Sequence, residues 1–247
     1  MTGTRKLGRA LGLTLTVLAV SLVLSTPPAL STQMPNVIRS NEAATIATLR
    51  QVAAAQTEFK QALDIDADCD GVGEYGYFAE LAGTKSMRVG SGGWSCVPTS
   101  GRGLDILSPP LLRNALGMVT AYSVVVHQGY VFEMWLPAPE VGGVVGAIEE
   151  DPFGGKMLGP YPDPITGAQH WCCYAWPLVY GQTGRRAYFI NQRGKVLRDV
   201  NRSATPFSGI VNIPEFDEAF LVPDDMSSPI RVGIPGGSAG SIWSVLP

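Results

Sequence analysis

The chain has 247 residues, enough for one large domain with or without appendages. Hydrophobic residues make up 45%, so a substantial core is available, while charged residues reach only 16% against roughly 25% in an average soluble domain. A net charge of -3 without a Lys/Arg cluster gives no basis for nucleic-acid binding, and 29 Gly with 19 Pro favour short strands and long loops over a helical bundle.

In chain order, "TRKLGR" places positive charge ahead of "ALGLTLTVLAVSLVL", an apolar run of about 15 residues that is short of the roughly 20 a spanning helix needs. "PPALST" follows, with Ala29 and Ser31 at small-residue spacing for cleavage. Segment 1–31 therefore reads as a secretory signal peptide or as an uncleaved anchor in the inner membrane. Under either reading the rest is expected outside the cytoplasm, whether periplasmic, membrane-anchored or secreted.

The spacing predicts one long helix from Pro35 to Leu63. Ile38, Ile46, Leu49, Val52, Ala53, Phe59 and Leu63 form a stripe, with Arg50, Gln51, Thr57, Glu58 and Gln61 off it. Pro35 suits a first turn, and Glu42 lies near the positive end of the helix dipole if order begins at Ser40. A helix of that length needs a sheet packed along it.

"DIDADCDGVGEYGYF" ends the helix. With Asp66 as the first position of an EF-hand-type loop, Asp68 and Asp70 fall third and fifth, and Gly71 falls sixth, where the chain must turn sharply. Val72 would offer its carbonyl at the seventh and Glu74 stands ninth, but Tyr77 occupies the twelfth, where a bidentate Glu closes such loops. Glu80 could substitute by folding back. The candidate ligands for calcium are thus Asp66, Asp68, Asp70, Val72 and Glu74, at the modest affinity of extracellular modules. The alternative is an Asp/Gly turn whose side chains cap the backbone.

Export makes disulfides possible. A bridge between Cys69 and Cys96 would close the aspartate loop onto the glycine-rich segment behind it; adjacent Cys172 and Cys173 either bond to each other in a strained ring or stay thiols or bond outward. No C-x2-C knuckle suggests zinc.

Beyond the loop, "EYGYFAELAG" predicts a short turn of helix with Tyr77, Phe78 and Leu81 inward, and "DILSPPLLRNALG" a short helix after Pro110. "AYSVVV" and "GYVFEMWLP" form a hairpin through "HQG". Residues 138–169 lack periodicity and read as a long excursion. "HWCCYAWPLVYG" is an aromatic strand interrupted at Pro177 and so expected near an edge. "RRAYFINQRGKVLRDV" is a hairpin turning at Asn191–Gly194, with Arg185 and Arg186 as a solvated strand start. Residues 201–247 form an irregular covering tail. The expected fold is α+β, a spine helix on an antiparallel sheet of about four strands spanning 35–200.

Catalytic signals are weak. His127 falls at a hairpin tip. His170 shares a strand face with Cys172, but no orienting acid is identifiable. No G-x-S-x-G elbow or phosphate-binding loop is present, and the expectation is a protein that is not an enzyme. Trp171, Tyr174, Trp176 and Tyr180 would either line a ligand groove or cover the core.

With these motifs placed, "PNVIRSNEAATIATLRQVAAAQTEF" resembles the spine of type IV pilins and major type II secretion pseudopilins, most closely over Asn41–Gln56. "DADCDGVGEYGYFAEL", "WCCYAWPLVYG" and "RAYFINQRGKVL" resemble an uncharacterised group of bacterial exported proteins with the same order of motifs. The resemblance covers about 35–200. It implies a pilin-like fold, a non-enzymatic role in secretion or envelope structure, and pilus or secretion-system subunits as partners. The leader departs from that class. Gly12, Leu13 and Thr14 match a prepilin cleavage site, but Val17 stands in place of the Glu used in filament assembly. An exported module holding a small ligand or glycan is the alternative function.

Overall fold

The computed structural model describes residues 30–88, 105–154 and 161–246. Residues 1–29 of the leader, Cys96 and the "GSGG" loop lie outside these residues. Among the described residues no helix is long and apolar enough to cross a membrane.

The spine helix α1 runs Leu30–Gln61, 32 residues or about 48 Å. It begins earlier than its sequence suggests, so Pro35 lies inside it rather than in the first turn, and Glu42 is three turns in. Its buried stripe is Ile38, Glu42, Thr45, Thr48, Leu49, Val52, Ala55, Gln56 and Phe59, while Arg50, Gln51, Thr57, Glu58 and Gln61 are all exposed. Leu63 is not on the stripe. It sits past the helix end at φ 56°, where its N–H bonds to the Lys60 carbonyl and that of Asp64 to Phe59. This is a Schellman stop, with leucine where glycine is usual.

The buried polar residues of α1 tie it to distant chain. Gln56 pairs its amide with both backbone groups of Gly76, at 2.7 and 2.9 Å. Asn41 donates to the Thr183 carbonyl at 2.9 Å. Glu42 accepts from the Arg185 N–H at 3.1 Å and from Arg186 Nη1 at 2.6 Å. Arg186 is therefore a partner of the spine, not a bare strand start.

The sheet has seven strands, all antiparallel, not four. They are β1 Val124–His127, β2 Tyr130–Pro137, β3 Ala147–Glu149, β4 Cys172–Pro177, β5 Ala187–Asn191, β6 Leu197–Asp199 and β7 Ser244–Val245. The order is β1-β2-β4-β5-β6-β7, and β3 extends the β1 side of β2. The β1–β2 turn uses Gln128 and Gly129, both at positive φ, as a two-residue hairpin requires. The predicted edge position of the aromatic strand is overturned, because β4 lies between β2 and β5. Pro177 is tolerated there because it is the last residue of β4 and lies beyond the β4–β5 pairing.

Alternation along the strands makes two cores. Tyr130, Phe132, Met134, Cys173, Ala175, Tyr188 and Ile190 face α1 together with Leu49, Val52 and Phe59. The short helix α2, Phe78–Leu81, caps this layer with all four residues buried, and a 3-10 helix at Asn114–Gly117 packs on α2. On the opposite face, Val131, Trp135, Tyr174, Trp176 and Phe189 meet Phe207, Phe220, Met226 and Trp243 from residues 201–246. Tyr174 stacks edge-on against Trp135, Phe189 and Trp243 at centroid distances of 5.5, 4.8 and 5.6 Å. A last short helix, α3, spans Pro164–Gly167.

Candidate metal-binding loop

The stop at Leu63 throws the chain back beneath the end of α1, where Gly73 passes so close that a Cβ would lie 2.1 Å from the Lys60 carbonyl oxygen. The bend between them gathers the carboxylates. One ligand oxygen from each of Asp66, Asp68 and Glu74 lies within 4.8 Å of the others, so this triad could hold a metal ion.

The loop is braced by its own acids. Gly71, at φ 81°, donates its N–H to Asp66 Oδ2 at 3.2 Å, Asp70 N–H to Asp68 Oδ1 at 3.4 Å and Ala67 N–H to Glu74 Oε1 at 2.7 Å. The second oxygen of Asp66, Oδ1, is buried and has no hydrogen-bond partner among the described residues. A buried carboxylate oxygen without a donor costs free energy unless a cation or water meets it. Burial pushes the Glu74 carboxyl above its ordinary range. Arg88 and the Ala67 N–H oppose this, and the charges of Asp68 and Asp66 add to it. A divalent cation would relieve that repulsion, and an all-oxygen carboxylate set suits calcium or another hard ion.

The other predicted ligands go elsewhere. Asp70 is exposed and caps the Val72 N–H at 2.7 Å, the bland turn role, instead of joining the triad. Tyr77, at the twelfth position, is fully buried and donates to the Ile148 carbonyl at 2.8 Å. Glu80 cannot fold back into the loop. It is fully buried, accepting from the Tyr77 N–H at 2.7 Å and from the Arg88 N–H and Nε at 2.8 and 3.1 Å. Glu150 in turn accepts from the Phe78 and Ala79 N–H groups at 3.0 and 2.8 Å, and burial raises its carboxyl to about 8. These two acids fix the exit of the loop.

Cys69 is disulfide-bonded, and Cys172 and Cys173 are free, buried thiols. Burial pushes both thiols well above their ordinary range, so they are held protonated, the weakly nucleophilic form. His170 contacts Gln192 through Nδ1 at 3.1 Å, and burial lowers its basicity. His127, half-buried at the end of β1, is likewise lowered, by burial and by Arg113. Trp171, Tyr174 and Trp176 are at most 1% exposed and belong to the two cores, so they line no groove.

Sequence reasoning passed over Glu133, in the middle of β2. It is 2% exposed on the tail-covered face, with Oε2 unpartnered and its carboxyl raised to about 9, by burial first and then by Glu149 and Glu215. The available signal was a lone acid inside "YVFEMWLP".

Comparison with known proteins returned no significant match to any family model, curated protein or solved structure.

Proposed function

We propose that this chain is a non-enzymatic, extracytoplasmic protein of pilin or pseudopilin type, a structural component of a secretion or envelope assembly, whose spine-to-sheet junction is locked by calcium. The observation that carries the reading is the junction itself. A long helix lies along an antiparallel sheet, and the bend at the end of the helix, on the way to α2 and then the sheet, brings together three carboxylates, one of which, Asp66, has a buried oxygen with no hydrogen-bond partner among the described residues. The likeness of Asn41–Gln56 to pilin spines supports the same reading, and the charged leader before an apolar run supports export.

Calcium acts here on stability. A cation bridging Asp66, Asp68 and Glu74 binds only the folded bend, so it stabilises by mass action, by about 2.7 kcal/mol at a hundredfold excess over Kd. With no acid at the twelfth position, the affinity falls in the weak, extracellular range. The test is thermal unfolding of the purified chain with calcium and with chelator. Chelation lowers Tm in the wild type and has no effect in Asp68→Ala. Identical melting curves with and without calcium would remove the metal from the proposal. Co-fractionation of the native protein with sheared surface filaments or secretion subunits tests the assembly role, and a freely soluble monomer in every fraction contradicts it.

A further inference from the structure

Far from the acidic bend, the side of α1 near Pro35 meets the start of β5 and the chain leaving β6 around a cavity of about 260 Å³. Four arginines line it, Arg39 from the helix, Arg185 and Arg186 entering β5, and Arg202 beyond β6, with Ile38 and Val200 as apolar wall. Glu42 is the one carboxylate among them. Both of its oxygens are already engaged, one by the Arg185 N–H and one by Arg186 Nη1. Its side chain is only 7% exposed, so it sits beneath the arginines and holds the pair in place. Among the described residues no ion pair reaches Arg39, Arg185 or Arg202, and none of their guanidinium groups makes a hydrogen bond.

A chain of net charge -3 thus brings four arginines and one carboxylate around a single concavity. Like charges held together without a counter-ion repel, and the fold keeps them together through the buried Glu42 contact. A carboxylate offers two oxygens and is satisfied by one guanidinium fork. Several forks converging from different segments suit an anion with three or four oxygens spread in space.

We propose that this cavity binds a phosphate-type oxyanion through Arg39, Arg185, Arg186 and Arg202. The group could be a free phosphate or the phosphodiester of an anionic lipid headgroup, and the apolar run at residues 10–24 precedes the cavity-lining part of α1 by only about ten residues. The site is independent of the acidic bend, and its test does not involve calcium.

The experiment uses the full chain, wild type and the double variant Arg39→Gln/Arg202→Gln. Both substituted side chains are exposed, and the Glu42–Arg186 pair is left intact. Arg185→Gln is the second variant. Calorimetric titration with inorganic phosphate, and with acetate at matched ionic strength, is paired with flotation on phosphatidylcholine vesicles with and without phosphatidylglycerol. The expected result is phosphate binding that weakens about tenfold or more in both variants while acetate binds far less well. A preference for anionic vesicles that the variants lose, with or without measurable free-phosphate binding, supports the site and names the lipid headgroup as ligand. Phosphate binding without that preference supports it and names a free oxyanion. Absence of both responses overturns the proposal, as does binding unchanged in the variants or acetate binding as tight as phosphate.

Discussion

Glu133 provides the sharpest quantitative test of the fold. It lies in β2 between Val124 of β1 and Tyr174 of β4, on the face that also carries Val131 and Trp135 and that residues 201–246 cover. None of the described residues donates to its buried Oε2, and ionisation there is opposed by desolvation and, secondarily, by Glu149 and Glu215. Its carboxyl is raised from an ordinary 4.5 to about 9. The sign follows from proton linkage. Between those two values the folded state holds a proton that the unfolded state has lost, so stability falls as pH rises. Each unit is worth about 1.4 kcal/mol, which puts the loss at about 3 kcal/mol by neutral pH and more towards pH 9. Glu133→Gln keeps the shape and cannot ionise, so its pH dependence lacks this contribution. Urea unfolding of both proteins from about pH 5 to about pH 9 reads the difference directly. The wild type is the less stable of the two at high pH, with the gap closing towards pH 5. Glu150, which also titrates high, acts equally in both and cancels. Parallel curves across that range would refute the placement of Glu133 in a dry interior.

Three further outcomes follow from the same structure. Asp68→Ala abolishes the effect of chelator on Tm whereas Asp70→Ala preserves it, because the Asp70 carboxylate caps Val72 outside the triad; equal loss in both, seen by thermal denaturation, contradicts the geometry. Gly73→Ala pushes a methyl into the Lys60 carbonyl, a backbone group that cannot step aside, and lowers stability by about 3 kcal/mol or more in urea unfolding; a neutral result argues against the close return beneath α1. Cys172 and Cys173, buried and protonated, resist a thiol reagent in the native protein at about pH 8 and both react after denaturation, a difference that a colorimetric thiol count detects.

The spine helix was legible because its apolar residues repeat at the helical period over many turns, and the five polar positions expected to face solvent do so. The two hairpins were legible because turn residues separate β-rich runs. What escaped was carried by position in three dimensions. β3 and β7 are three and two residues long, too short for any alternation to register. The second core draws Phe207, Phe220, Met226 and Trp243 from widely separated points in a Pro- and Ser-rich segment, so no local pattern announces it. The site divides in the same way. Spacing picked out Asp66, Asp68 and Glu74, but could not say that Asp70 turns to its own backbone or that Glu80 is spoken for by Arg88. Arg185 and Arg186 are exposed and lead into β5, as the sequence suggests, but their contact with Glu42 was hidden because that residue lies on α1, more than a hundred residues earlier.

Trp243 donates its indole N–H to the Glu218 carbonyl at 3.0 Å and is wholly enclosed, and the two residues after it add the final rung beside β6. Synthesis runs from the N-terminal side, so the spine is made well before this indole. Until residue 243 is added, the aromatic side of the sheet stays wet, so the core against α1, whose buried residues end at Val196, can close first.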